Sequence, residues 1–160
     1  MDIISYLSIS PFQWTKVGAA ICCGFIIGLE RQLRGKPVGI RTSALIVLGT
    51  YMFIAASNSL NNDVTDTSRI IGQVVTGVGF LGAGVMLAKD GIVVGVTSAA
   101  TIWVLAAIGV AIDISGELGA INLSILVVVI LYGVDVLEDY FTSLTRGVHA
   151  RFNGWKKRNK

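Results

Sequence analysis

The sequence predicts an all-α integral membrane protein, folded as a compact bundle of five transmembrane helices. Three observations support this fold class. The chain is 53% hydrophobic and only 14% charged, whereas soluble domains are about 25% charged. Its apolar residues form five runs, each near the roughly 20 residues that a helix needs to cross a bilayer. Its cations are concentrated at alternate ends of these runs, which is typical of a chain that crosses a membrane repeatedly.

The apolar runs predict the five helices in chain order, at residues 12–29, 42–60, 70–88, 92–112 and 120–137. A charged loop ends the first run, and a segment rich in asparagine ends the second. Asp90-Gly91 is a specific turn signal, so it separates the third helix from the fourth. Residues 1–137 are therefore predicted to form one membrane domain, followed by a short basic tail over residues 138–160.

The positions of the 13 lysines and arginines predict the orientation. The loop after the first helix, the loop after the third helix and the tail hold all of them except Lys16 and Arg69. An odd number of helices places these three regions on one side. Because cytoplasmic loops carry an excess of Lys and Arg, we expect the N-terminus outside and the C-terminus in the cytoplasm.

The composition does not favour a nucleic-acid-binding protein or an enzyme. The net charge is +3, but the cations lie at helix ends and in the tail, so the bilayer is the expected partner. The segment from Gly77 to Gly82 matches GxGxxG, yet it lies inside a membrane segment without a βαβ unit, so no dinucleotide site is predicted. The sequence contains no recognisable catalytic set, and we expect no cofactor.

Charged residues cluster after the first helix. Glu30 is the carboxylate nearest a helix interior, and Asp135 falls on the same side of the membrane. We expect these two acids to form interhelical ion pairs with Arg31, Arg34 or Arg41. The alternative is a divalent-cation site for magnesium, built from Glu30, Asp135, Thr42 and backbone carbonyls; the neighbouring arginines oppose it.

The third helix is rich in glycine. Small residues let membrane helices approach closely, so this helix is predicted to be central, with neighbours on two faces. A hinge or a discontinuous helix that exposes backbone groups to a ligand is the alternative. Gln73 is expected to face the protein interior, and several close-contact sites make a homodimer plausible. The predicted packing glycines are Gly28, Gly72, Gly77, Gly79, Gly82 and Gly84.

The fourth helix carries three hydroxyl side chains, Thr97, Ser98 and Thr101. Such hydroxyls commonly bond carbonyls of their own helix one turn earlier. Alternatively, they line a polar seam opposite Gln73.

Four motifs together resemble the MgtC/SapB family. They are Gly28-Leu-Glu-Arg-Gln32, Gly39-Ile-Arg-Thr42, the segment from Arg69 to Gly84, and Val94-Gly-Val-Thr-Ser-Ala-Ala-Thr-Ile-Trp103. The resemblance covers residues 12–137. Family members often continue into a cytoplasmic ACT-like domain, which we do not expect in a chain of this length. The sequence departs mildly from the family pattern at Gly95-Val-Thr-Ser-Ala-Ala100, where both hydroxyls are kept.

The resemblance implies a bacterial inner-membrane protein linked to growth in low magnesium and to virulence or survival inside host phagocytes. It favours a regulator that contacts another membrane protein, such as the membrane sector of the F-type ATP synthase. A transporter or channel for magnesium or another small solute, acting as a dimer, is the alternative. The family pattern points to functional roles for Glu30, Arg31, Arg41, Thr42, Gln73, Thr97 and Thr101, among others.

Overall fold

The computed structural model describes residues 8–60, 67–89 and 92–140. Five helices follow one another along the chain, with one short β-hairpin between the third and the fourth. They are α1 (Trp14–Leu33), α2 (Ile40–Ser59), α3 (Thr67–Gly84), β1 (Leu87–Lys89), β2 (Ile92–Val94), α4 (Val96–Ile114) and α5 (Gly116–Tyr140). Three of the helices are long and apolar enough to cross a membrane, namely α2, α4 and the part of α5 up to Leu137.

Helices α1 and α2 cross closely because two glycines, one turn apart, face α2. A Cβ on Gly24 would lie 2.4 Å from the Cα of Ala44, and one on Gly28 would lie 2.5 Å from the Cα of Ile40. No side chain fits at these distances, so the two backbones touch. Such small-residue crossings are typical of helices that pack in membranes.

Helix α4 is the central helix of the bundle, since it contacts all four others. Gly109 gives it a close crossing with α2, where a Cβ would lie 2.7 Å from the carbonyl oxygen of Val47. The side chains that are fully enclosed around it come mainly from α1, α2 and α4; the largest are Tyr51, Ile27, Ile54, Leu105, Ile112 and Val47. Helix α5 packs on α1 and α4 and exposes most of its large apolar residues.

The hairpin replaces parts of two predicted helices. The sequence predicted helix up to Ala88 and again from Ile92, but α3 ends at Gly84 and two antiparallel strands follow, pairing Leu87 with Val94. Gly95 explains the change. Its φ of +91° is left-handed, and a Cβ there would lie 2.3 Å from the carbonyl oxygen of Val85. A helix cannot continue through that conformation, so the chain turns at Gly95 before α4 starts.

Helix α3 lies at the edge of the bundle, not at its centre as predicted. One side of it packs against α4, where Gly82 meets Ala99. The other side is exposed along the whole helix. Of the glycines predicted to pack on this helix, only Gly82 meets another described helix, and no described helix covers the side on which Gly72, Gly77, Gly79 and Gly84 lie. Asp90 and Gly91, and residues 141–160 of the predicted basic tail, lie outside the described residues.

Candidate functional site

Charged side chains meet where α1 ends, and we call Glu30, Arg31, Arg34, Ser98 and Asp135 the Arg31 cluster. Glu30 and Arg34 are one helical turn apart on α1, so their side chains lie on the same face. The Nε atom of Arg34 lies 2.9 Å from Oε1 of Glu30. The Glu30 side chain is only 7% exposed, so this ion pair is shielded from water on the carboxylate side.

Arg31 joins α1 to the start of α4. Its Nη2 atom donates a hydrogen bond of 2.9 Å to the Oγ atom of Ser98, and both residues are buried. Its Nη1 atom lies 3.9 Å from Oε2 of Glu30. A buried guanidinium needs a nearby anion because desolvation strongly disfavours an isolated charge. Glu30 supplies that anion.

The buried pair is only partly satisfied. Within the described part of the chain, the two carboxylate oxygens of Glu30 accept no hydrogen bond, and the Nε atom of Arg31 donates none. The close contact between Glu30 and Arg34 is thus an ion pair without hydrogen-bond alignment. Partly satisfied polar groups in a low-dielectric interior are costly to keep, so the buried carboxylate depends on its ion pairs with Arg31 and Arg34 for compensation.

Arg34 extends the cluster to α5. Its Nη1 atom donates to Oδ2 of Asp135, and its guanidinium lies 4.9 Å from the centre of the Tyr132 ring. A guanidinium at this distance from an aromatic face gains a cation–π attraction. Arg34 therefore contacts one acid from α1 and one from α5 at the same time, with its guanidinium over the Tyr132 ring.

The geometry of this cluster does not resemble a metal centre. Arg34 stands between Glu30 and Asp135, so a guanidinium occupies the place that a shared cation would need. Among the described residues, no group of three or more His, Cys, Asp or Glu side chains is arranged to hold a metal ion. Arg41 and Thr42 are exposed on the first turn of α2 and form no ion pair with Glu30 or Asp135 in the described part.

The loop between α1 and α2 is held in a strained shape beside this cluster. Val38 has a φ of +69°, which is unfavourable for a β-branched residue, and it is buried. Its carbonyl oxygen accepts a hydrogen bond of 3.1 Å from the Oγ atom of Ser43. The Oε1 atom of Gln32 accepts the backbone N–H of Ile40 at 3.3 Å. These bonds fix the start of α2 against the end of α1.

The polar seam between α3 and α4, the alternative considered for the hydroxyls of α4, does not form, and Thr101 instead bonds its own helix as the first interpretation expected. The hydroxyl of Thr101 donates to the carbonyl of Thr97 in its own helix at 2.8 Å. Thr97 itself is exposed, while Ser98 is engaged by Arg31. Gln73, which was expected inside the protein, lies on the exposed side of α3. The three hydroxyls of α4 therefore do not share one surface with Gln73.

A second polar network lies at the opposite end of the bundle, and the sequence analysis did not predict it. The Nζ atom of Lys16 lies 2.7 Å from Oδ1 of Asp113, and the amide of Asn58 donates to Oδ2 of the same acid. Thr67 donates a 3.0 Å hydrogen bond to Oδ1 of Asn58. This Lys16 network joins α1, α2, α3 and α4. Lys16 and Asp113 have opposite charges and lie at the ends of apolar runs on the same predicted side of the membrane. The sequence therefore contained a signal for this ion pair.

The outward side of α3 forms a regular stripe, which we call the α3 seam: Arg69, Gln73, Thr76, Phe80 and Ala83. These residues recur at steps of four, three, four and three, and all are exposed. This spacing is typical of a helix that packs along another helix. Four glycines flank the seam, and a Cβ on any of them would meet no described atom within 4 Å; they are Gly72, Gly77, Gly79 and Gly84.

The sequence profile of the MgtC family matches residues 17–140. The chain belongs to the MgtC family. The match includes α1 from Val17 onward, the hairpin, and every residue of the Arg31 cluster and the α3 seam. The resemblance noted from the four sequence motifs is therefore confirmed.

Several curated proteins are similar to this chain. A putative magnesium transporter of Escherichia coli, YhiD, is 52% identical over 101 residues, covering 59% of this chain and 46% of YhiD. An uncharacterized protein of Haemophilus influenzae is 37% identical over 149 residues, covering 88% of this chain and 63% of that protein. Protein MgtC of Salmonella typhimurium is 45% identical over 92 residues, covering 58% of this chain and 39% of MgtC.

This chain thus spans about half the length of the curated relatives it matches. No solved structure is detectably similar to it.

Proposed function

We propose that this chain is a five-span protein of the bacterial cytoplasmic membrane that serves in adaptation to low magnesium. We further propose that it acts as a regulator, through contact between α3 and a helix of another protein chain in the membrane. The family membership and the name of one relative, a putative magnesium transporter, support the link to magnesium. The membrane sector of the F-type ATP synthase is the target that the family resemblance favours.

The α3 seam is the observation that carries this proposal. A surface that faces lipid is expected to be mostly apolar, as in the middle of α5, where Leu126, Val129 and Ile130 are exposed. The α3 seam instead combines an amide, a hydroxyl and an arginine with flanking glycines. Gln73 has no hydrogen-bond partner among the described residues, and an unpaired amide in hydrocarbon costs several kcal/mol, on the order of 4–8. A protein surface would satisfy it.

The experiment compares two glycine substitutions that should both leave the fold intact. Gly77 lies beside the α3 seam and Gly133 lies on α5, and a Cβ at either position meets no described atom within 4 Å. We expect Gly77→Leu to abolish complementation of a deletion strain in low magnesium, because leucine blocks the close approach of a helix. Gly133→Leu should complement normally. Full growth with Gly77→Leu, at equal protein level, would rule out a function that depends on contact through α3.

Transport of magnesium is the second candidate, favoured by the name of the Escherichia coli relative and by the buried carboxylate of Glu30. It predicts saturable magnesium flux into proteoliposomes that hold only this protein. Flux that is lost in Glu30→Gln would place this carboxylate on the path. The ion pairs of Glu30 with two arginines oppose such a path, so we expect no flux.

A further inference from the structure

We infer that the α3 seam pairs with the α3 seam of a second copy of this chain when no target protein is bound. The inference rests on the proposed function, in which α3 acts through helix contact, and it names the occupant of that surface in the resting state. Three features favour a second copy over an unrelated helix: the spacing of the seam, its chemistry, and the absence of charged residues between Ile70 and Gly84.

The spacing fits two parallel helices. Two copies in one membrane have the same orientation, so their α3 helices run parallel and equal positions lie at equal depth. A repeat of four and three residues keeps one stripe in contact along a partner helix through a slight left-handed crossing. The stripe points directly away from α4, because the α4-facing positions, including Ile71, Val74 and Val78, lie on the opposite side of the helix.

The chemistry of the seam is self-complementary. A two-fold axis normal to the membrane brings each seam residue against its own copy. The side-chain amide of Gln73 has both donors and acceptors, so two facing copies can satisfy each other. Phe80, which is 86% exposed, would meet a second phenylalanine. Thr76 adds no hydroxyl that needs a partner from the second copy, because its hydroxyl already donates a hydrogen bond to the carbonyl of Gly72 at 2.9 Å.

The charges do not oppose such a pair. No charged residue occurs between Ile70 and Gly84, so symmetric pairing brings no like charges together along most of the seam. Arg69 is the exception, and it lies two residues from the start of α3. A long side chain at a helix end can extend into water, which keeps the two guanidinium groups apart.

The test is disulfide cross-linking between two differently tagged copies that are expressed together. The exposed Cys22 is first replaced by alanine, while Cys23 is buried and can stay. Single cysteines are then placed in the seam as Gln73→Cys or Phe80→Cys. The matched controls are Leu123→Cys and Val129→Cys, which lie on the exposed side of α5, at nearly the same number of residues from the start of their helix.

We expect both seam variants to shift to the mass of a dimer that carries both tags, while both controls remain monomeric. Adding Gln73→Leu to Phe80→Cys should lower the dimer fraction by roughly three- to thirtyfold, the range that interhelical hydrogen bonds in membranes cover. Seam variants that cross-link no better than the α5 controls would overturn the inference.

Two outcomes separate this inference from the proposed function. A cross-linked product that carries one tag and a foreign mass would show that another protein covers the seam at rest. It would overturn the second-copy inference and leave the proposed function standing. Absence of any seam-specific product, together with full growth of the Gly77→Leu strain, would overturn both.

Discussion

Gly28 shows how the absence of a side chain positions the charged loop. Because a Cβ at this position would lie 2.5 Å from the Cα of Ile40, the first turn of α2 lies against the end of α1. Glu30 and Arg31 lie two and three residues after Gly28, so the same close crossing sets where their side chains enter the bundle. The packing of two backbones and the placement of a buried ion pair therefore depend on one residue.

We predict that Gly28→Ala destabilises the protein by at least about 1–3 kcal/mol, the usual cost of overpacking, because the added methyl group meets backbone that cannot rotate away. Gly18→Ala is the matched control, since it lies on the same helix and its Cβ meets no described atom within 4 Å. The control should raise stability, by up to about 1 kcal/mol, because alanine favours a helix interior over glycine. Denaturant unfolding of the purified proteins in detergent measures both. Equal stabilities would show that α1 and α2 do not cross this closely.

At the Arg31 cluster, part of the arrangement could be predicted from the sequence. Glu30 was expected to pair between helices, but its partners Arg31 and Arg34 lie on the same helical segment, where a spacing of four residues places Glu30 and Arg34 on one face. The link from Arg34 to Asp135 was anticipated as one of several possible interhelical ion pairs. The bond from Arg31 to Ser98 was not, because it joins residues 67 positions apart, and only the packing of α1 against α4 decides which hydroxyl an arginine reaches.

Helix α3 illustrates what the sequence of one chain can indicate about an element. Its glycines predicted close approach by other helices, but a repeat of small residues does not state which helix approaches, or whether that helix belongs to the same chain. The prediction assumed a partner within the same chain, and the structure places only Gly82 against another described helix at close range. The end of α3 was also missed, since an apolar run of this length does not distinguish helix from the hairpin that begins at Leu87.

The Lys16 network holds the ends of four helices together. Asp113 is its central residue, because it accepts from both Lys16 and Asn58, and Asn58 in turn accepts from Thr67 at the start of α3. The Lys16 and Asp113 side chains are 20% and 16% exposed, so water screens this ion pair less than a surface pair. We therefore expect it to contribute more than a typical surface ion pair does.

We predict a coupling energy of about 0.5–3 kcal/mol between Lys16 and Asp113 in a double-mutant cycle, as for residues in direct contact. The cycle uses Lys16→Ala and Asp113→Ala and measures the free energy of unfolding in one detergent at fixed salt. Lys36 is exposed in the loop after α1, at the opposite end of the bundle, so a cycle of Lys36→Ala with Asp113→Ala should be additive. Additivity in the first cycle would mean that the ion pair does not form in solution.

On the scale of the whole molecule, successive helices alternate in direction. The end of α1 meets the start of α4 through Arg31 and Ser98, and the start of α1 meets the end of α4 through Lys16 and Asp113. The end of α5 reaches the Arg31 end through Asp135. An alternating bundle of five helices places the start of α1 and the end of α5 at opposite ends. The segregation of cations in the sequence requires the same arrangement, although composition alone cannot order the helices.

The charge pattern predicts which end of this bundle is cytoplasmic. The loop that follows α1 carries Lys36, and Arg41 begins the next helix, while the opposite end has Lys16 paired with Asp113. Because positive loops are retained in the cytoplasm, a green fluorescent protein fused after Lys160 should fluoresce, and alkaline phosphatase at the same position should be inactive. Both reporters fused before Met1 serve as the matched control and should give the reverse result. An active phosphatase after Lys160 would contradict either the orientation or the number of membrane spans. The reporters fused before Met1 would show which of the two is wrong. A reversed orientation changes the result at both termini, whereas a missing span changes it at only one.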